Sequence, residues 1–350
     1  MIIVLLFSVA LQLGSIGFSA AMSGMEDAVD NAVTDVLGDE VDAMKAIKKI
    51  ELHLHLGGAW PLDYLREIAT PEQYEKLVAF LERFKGGMDY HECFQIFSLV
   101  GKIVDTDQKV EDGVVALCRA LSADNVAYAE FRTGLKDLGS GLEGYLQAVL
   151  RGIERAQVPL KVGILLSLRR DSSAGLAGQT VELVKKYRHH GVVGIDLSGD
   201  SVQGDGEAVF ESLVQARECD IPVALHLGES PKESAEQQMK ELQKINPSRI
   251  GHGVHLCQDA IDWIRERRTP VELCLRSAVL VGMIKDAAQH PALQLLRDGH
   301  PVIICTDDPL IFDTTLSQEC AAVARLCELT VEDVARLQKQ AKHYAFGQKI

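Results

Sequence analysis

Several features are missing from this chain of 350 residues, and each absence narrows what it does. No pair of its eight cysteines is spaced C-x-x-C. That excludes a zinc ribbon, and a chain this long is no small disulfide-stapled scaffold. The cysteines fall within apolar runs and read as buried thiols in a reducing compartment. Positive charge is scarce. The formal net charge is −14, which disfavours nucleic-acid binding because phosphate backbones are repelled. A local basic pocket for one small phosphate is still compatible with that balance. No G-x-G-x-x-G follows any strand pattern, which counts against a dinucleotide-binding open sheet. There is no internal repeat, low-complexity tract or linker-like shift in composition.

No Lys or Arg precedes Lys45. The opening "MIIVLLFSVALQLGSIGFSAA" is apolar, with small residues at Ser19 and Ala21. Residues 1–22 therefore read as a signal peptide without its basic start, a single anchor, or a mis-assigned leader. The cysteines favour a cytoplasmic enzyme over an exported one. Residues 23–350 read as a single domain, opening with an acidic amphipathic helix over 23–47.

Hydrophobic residues make up 47% of the chain and charged residues 25%, enough apolar material for a sizeable core. Short apolar β-rich runs occur at 50–55, 126–132, 160–168, 192–197, 222–227, 249–253, 270–275 and 301–306. Helical patterns lie between them, among them 142–156, 180–190, 207–218, 232–244 and 284–297. Near-continuous apolar strands alternating with helices indicate a parallel sheet covered on both faces. Eight such units predict a (β/α)8 TIM barrel, with residues 57–125 as a mainly helical insertion after the first strand.

In such a barrel, chemistry gathers at the C-terminal ends of the strands. The first strand ends in His53-Leu54-His55, and spacing of two puts both rings on one face. The fifth ends in "ALHLGES", with His226 and Glu229. The sixth runs into "RIGHGVHL", with His252. The eighth ends in "CTDDPL", with Asp307 and Asp308, and the fourth in "IDLSGD", with Gly199. A lone histidine in an apolar strand is ordinarily a satisfied core residue, and His91, His189, His190, His290, His300 and His343 are read that way. For His53, His55, His226 and Asp307 the plain reading fails, because separate strand ends bring them together and burying them unpaired is costly. Three imidazoles and a carboxylate suit one Zn²⁺ per chain, with a position left for water. Glu229, His252 and Asp308 remain for proton traffic and substrate orientation.

The motifs "ELHLHLGGA", "LHLGES", "RIGHGVHL" and "CTDDPLIF", in this order and spacing, resemble those of the adenosine deaminase family. The resemblance runs from His53 to the end of the chain. It implies hydrolytic attack at C6 of a 6-aminopurine nucleoside or nucleotide, with zinc activating the water and ammonia leaving. It further implies that Glu229 protonates N1, His252 orients the water, and Asp307 binds zinc and helps take the water proton. Asp308 would hydrogen-bond N7, and the Gly199 N–H would meet N3. The H-x-E and P-C-x-x-C signature of cytidine-type deaminases is absent.

The chain departs from the family pattern twice. Two positions after the second histidine, where adenosine deaminases carry the Asp that holds the ribose 5′-hydroxyl, this chain has Gly57. The loss of bulk and charge suits a 5′-substituted substrate such as AMP or N6-methyl-AMP. "HECFQIFSLV" and "KDLGSGLEGYL" resemble the N6-methyl-AMP deaminase-like branch of the family. In place of C-P-x-S-N after strand seven stands "CLRSAV", whose Arg276 would lie at the barrel mouth, either meeting an anion or simply exposed. The competing readings are a barrel that has lost this reaction and serves as a binding protein, and an amidohydrolase acting on a non-purine substrate. Loss of adenine-type absorbance with release of ammonia separates them. The partner expected is a small purine. Neither a nucleic acid nor a stable protein partner is implied, and these patterns carry no information on oligomeric state.

Overall fold

The computed structural model describes residues 38–84, 90–202 and 206–347. The apolar leader at 1–22 lies outside them. Of the acidic helix expected over 23–47, the described part is helical at 38–45. The compact barrel unit begins at Met44. No helix among the described residues is long and apolar enough to cross a membrane.

Eight strands form one sheet in chain order: β1 (Lys49–His55), β2 (Val126–Gly134), β3 (Lys161–Arg169), β4 (Val192–Ser198), β5 (Val223–Leu227), β6 (Arg249–His252), β7 (Val271–Leu273) and β8 (Val302–Ile304). Every neighbouring pair is parallel. The ring closes between β1 and the residues after β8. There the His55 N–H donates to the Asp307 carbonyl at 2.8 Å, and the Asp307 N–H to the His53 carbonyl at 2.9 Å. This is the expected (β/α)8 barrel. The closing seam already carries three of the expected site residues.

The expected insertion after β1 is present as the helices Leu62–Ile68, Pro71–Phe84, Tyr90–Cys93, Gln95–Ile103 and Asp107–Ala123. Thr106 caps the last of these through its side chain, which accepts from the Lys109 N–H. The helix expected over 284–297 is broken. A 3-10 turn at Ala287–Gln289 precedes the helix Pro291–Arg297. Pro291 lacks the N–H needed to continue from upstream, so it sits at the helix start, capped by the His290 ring.

The barrel interior is not purely apolar. Glu51, Glu130, Asp196 and Glu272, with Arg249, are fully buried, and Arg132 is 1% exposed. The Arg132 guanidinium pairs with Asp196 at 2.8 Å and with Glu272. Arg249 pairs with Glu130 and with Glu272, each at 2.6 Å. Removing one partner of such a buried pair costs about 3–5 kcal/mol, because the other charge is stranded. The network therefore has to be complete to be tolerated.

Candidate active site

Strand ends place the side chains, and local backbone turns aim them. His252 and Asp307 both adopt left-handed backbone, with φ of 62° and 66°. That costs a non-glycine residue about 1–3 kcal/mol, and such strain clusters at working sites. Gly199, Gly228 and Gly253 take positive φ at the same rim.

A cavity of about 280 Å³ opens at this rim, lined by His55, Gly57, Gly199, His226, Glu229, His252, Asp307 and Asp308. His53 lies beneath it, fully buried. All nine residues singled out from the sequence are thus brought together. Arg276 is not among them. The loop expected to carry it is a short helix, Leu275–Leu280, and Arg276 lines a neighbouring cavity with Trp60 and Phe84. It is exposed, and its Nε donates to the Phe312 carbonyl at 2.5 Å.

The imidazoles face one another. His55 Nε2 lies 3.2 Å from His53 Nε2 and 3.0 Å from His226 Nε2. Asp307 Oδ1 is 3.4 Å from both His53 Nε2 and His55 Nε2. The outer nitrogens are committed elsewhere. His53 Nδ1 meets Glu272 at 2.8 Å, and His226 Nδ1 meets the Leu197 carbonyl at 3.2 Å and Asp196 at 3.1 Å. These acceptors assign the proton to Nδ1 in both rings, so their Nε2 lone pairs point inward. Converging lone pairs beside a carboxylate repel one another unless a cation lies between them, and ligand histidines are typically held by this carboxylate or carbonyl backing. The residues present therefore fit a metal ion. Burial lowers the His55 pKa to about 3 and holds His252 well below the ordinary histidine range, so both rings are neutral. Cys274 also comes near His53 and Asp307, but burial pushes its thiol far up and keeps it protonated.

The carboxyl groups divide in character. Burial would raise Asp307, but the surrounding imidazoles, His252 foremost, hold it well below the usual carboxylate range. Burial and the charge of Asp307 push Asp308 well above it. Burial raises Glu229 to about 7, against the opposing pull of His226 and Arg170. A low-pKa carboxylate, Asp307, therefore sits beside two carboxyl groups whose pKa values are raised, a division typical of acid–base sites.

Glu233 was not foreseen. Its Oε1 accepts from the Glu229 N–H at 3.0 Å, the Ser230 N–H at 3.3 Å and the Ser201 hydroxyl at 2.6 Å, and its Oε2 from the Gly228 N–H at 2.8 Å. One carboxylate thus ties down the loop that carries Glu229. Asp196, Glu272 and Arg132 were missed as well. Their signal was present, since each is a charged residue inside an apolar strand, where burial demands a partner.

The two glycines of "HLGG" differ. A Cβ on Gly57 would touch only the Phe97 ring, at 3.4 Å. A Cβ on Gly58 would collide with the Asp308 carboxyl group. Gly57→Ala is expected to leave turnover within about threefold of wild type, whereas Gly58→Ala displaces the Asp308 side chain from the cavity wall and is expected to lower kcat/KM by about 10²-fold, the scale of a small misplacement within an active site. Steady-state kinetics of the two variants, with melting curves to verify folding, measure the contrast. Equal effects at both positions would contradict it.

Comparison with known proteins agrees with this geometry. A family model described as adenosine deaminase matches residues 48–349. The chain is 30% identical over 320 residues to an N6-methyl-AMP deaminase of Danio rerio, covering 87% of this chain and 91% of that protein. It is 31% identical over 317 residues to an adenosine deaminase-like protein of Drosophila melanogaster, covering 87% and 93%. A crystal structure of Arabidopsis ADAL complexed with IMP superposes with a TM-score of 0.81 at 28% identity, covering 87% of this chain and 94% of that one. Since the match spans the whole barrel and every strand end that lines the cavity, the chain belongs to the adenosine deaminase family and is an aminohydrolase.

Proposed function

We propose that the protein catalyses zinc-dependent hydrolytic deamination of a 6-aminopurine nucleotide, a 5′-substituted adenosine such as AMP or N6-methyl-AMP, to the 6-oxopurine. The observation that carries this reading is the set of inward-facing imidazole nitrogens at the floor of a cavity that also holds a carboxyl group, Glu229, with a pKa near 7. His53, His55, His226 and Asp307 would hold the ion. When bound, zinc supplies Lewis acidity that brings the pKa of water down towards neutrality.

The chain's own residues do the rest. Protonated Glu229 donates to N1 and makes the ring an electron sink for attack at C6. His252, whose Nε2 lies 3.5 Å from Glu229 Oε1, orients the attacking water. Asp307 helps accept that water's proton. Asp308, protonated in its buried setting, donates to N7, and the Gly199 N–H meets N3. The named activity of the N6-methyl-AMP deaminase relatives supports a 5′-monophosphate substrate, as does the presence of Lys136 and Arg169 on the lining of the cavity that Gly57 also lines. Lys136, with Arg169 already paired to Asp171 at 2.8 Å, offsets locally part of the repulsion that the overall acidity exerts on a phosphate.

The test is a panel of AMP, N6-methyl-AMP, adenosine and adenine, with purine absorbance and released amine as readouts. Stripping metal with a chelator is expected to abolish turnover, and adding back one equivalent of zinc per chain to restore it. Zinc-loaded protein that turns over none of these substrates would overturn the deaminase reading in favour of a binding role.

A further inference from the structure

The floor of the barrel is joined to the candidate metal site by a continuous chain of contacts that starts in the C-terminal segment. The Phe346 N–H donates to Glu130 Oε1 at 2.6 Å, and the Gly347 N–H to the Tyr128 hydroxyl at 3.2 Å. A Cβ on Gly194 would fall 2.8 Å from Phe346 Cδ2, so the ring lies directly on the glycine of β4. The Arg249 guanidinium sits 3.7 Å from the centre of that ring and donates to the Tyr344 carbonyl at 2.8 Å. Arg249 also donates from Nε to Glu272 Oε1 at 2.6 Å. The other oxygen of Glu272 is the one 2.8 Å from His53 Nδ1. Arg249, Glu272 and His53 are all fully buried.

We propose that the C-terminal segment is a positioning element for the metal ion: Phe346 and the Tyr344 carbonyl fix Arg249, Arg249 fixes Glu272, and Glu272 fixes the His53 ring with Nε2 turned towards the ion. The proposal rests on reading the imidazole cluster as a metal site. Two features argue for more than a plug. The contacts are directional, since Arg249 spends different nitrogens on the segment, on Glu130 and on Glu272. The charges also do not balance within the network: among the described residues, the guanidinium groups paired with the three carboxylates Glu130, Asp196 and Glu272 are the two of Arg132 and Arg249, and the remaining ion-pair contacts of Glu272 and Asp196 are to the His53 and His226 rings. The excess negative charge lies next to His53 and His226, where a cation would compensate it. Carboxylates that back ligand histidines typically govern metal affinity by about 10–100-fold when removed. Phe346 acts two contacts further out, through Arg249 and Glu272, so the low end of that range, roughly tenfold, is expected.

The experiment uses the full chain and zinc alone, without substrate. Phe346→Leu keeps the floor filled but removes the aromatic face, and Phe346→Tyr keeps the face. Zinc affinity is read by competition with a chromophoric chelator, and the melting point of the metal-free protein is recorded beside it. Phe346→Leu is expected to weaken zinc binding about tenfold with the metal-free melting point in place, and Phe346→Tyr to bind as wild type does. Zinc affinity unchanged in Phe346→Leu would overturn the proposal, and so would a loss explained wholly by unfolding of the metal-free protein. Should Phe346→Leu fail to fold, Arg249→Lys decides. It keeps the charge but loses the fork, and wild-type zinc affinity in it would overturn the proposal. A wild-type protein that binds no zinc would bring down the metal reading itself, an outcome distinct from any of these.

Discussion

Glu229→Gln is expected to keep its metal ion and bind substrate normally, yet lower kcat by about 10²–10⁴-fold, the usual contribution of a positioned general acid. The substitution preserves shape and hydrogen-bonding capacity but removes the transferable proton. Its surroundings explain why the native residue suits the task. Glu229 is buried, and burial, with Glu233 and Asp307 adding to it, brings its pKa up to about 7. The carboxyl is therefore about half protonated near neutrality and largely protonated below it, and it loses its proton as the pH rises. Activity that depends on the acid form must fall along the alkaline limb of kcat/KM. A bound dication adds positive field and favours the carboxylate, so that limb lies at or below pH 7. Glu229→Gln should lack the limb altogether. The checks are kcat and kcat/KM as functions of pH together with zinc stoichiometry. Near-wild-type kcat in a variant that still holds zinc would remove Glu229 from the acid role.

The contrast between Glu229 and Glu233 shows where sequence reading stops. Glu229 was legible because it follows His226 at a strand end, and strand ends follow from the alternation of apolar runs and helices. The same logic located all eight strands and the insertion. Glu233 lies in a loop of polar residues, and only the fold shows its carboxylate bent back onto the N–H groups of residues 228–230. Glu272 and Arg132 are 140 positions apart, and Arg249 and Glu130 are 119 apart. No local period links such pairs, although a charge in the middle of an apolar strand signals that a partner exists. Gly58 was hidden for another reason. Its constraint is the Asp308 side chain, brought against it only when β1 and β8 close the ring. For Arg276 the plainer of its two readings holds: "CLRSAV" folds into a helical turn, and the side chain is exposed and donates to the Phe312 carbonyl.

Gly57→Asp is expected to erase the preference for a 5′-monophosphate. In the wild-type protein a 5′-monophosphate should exceed plain adenosine in kcat/KM by about 10²-fold or more, the scale set by charge-assisted contacts to a phosphate at a partly desolvated site. The position has room for the change. A Cβ there meets only the Phe97 ring, at 3.4 Å, and an edge of that ring can give by the few tenths of an ångström required. An aspartate would then project a negative charge into a cavity whose lining carries Lys136 and Arg169 besides Arg132, which is paired with Asp196 and Glu272. Against a phosphate it acts as a like charge, whose juxtaposition costs several kcal/mol. Against a neutral ribose hydroxyl it is a hydrogen-bond acceptor. AMP turnover should therefore fall by about 10²-fold while adenosine turnover holds or rises. Lys136→Met separates charge from shape: it should weaken AMP and leave adenosine unchanged. The phosphate penalty in Gly57→Asp should shrink as salt is raised, because the cavity opens to solvent and its charges are screened over about 10 Å at 0.1 M. Parallel kcat/KM values for AMP, N6-methyl-AMP and adenosine on the three proteins decide the matter. A wild-type preference for plain adenosine would mean that the space left by Gly57 is not what admits the 5′ group.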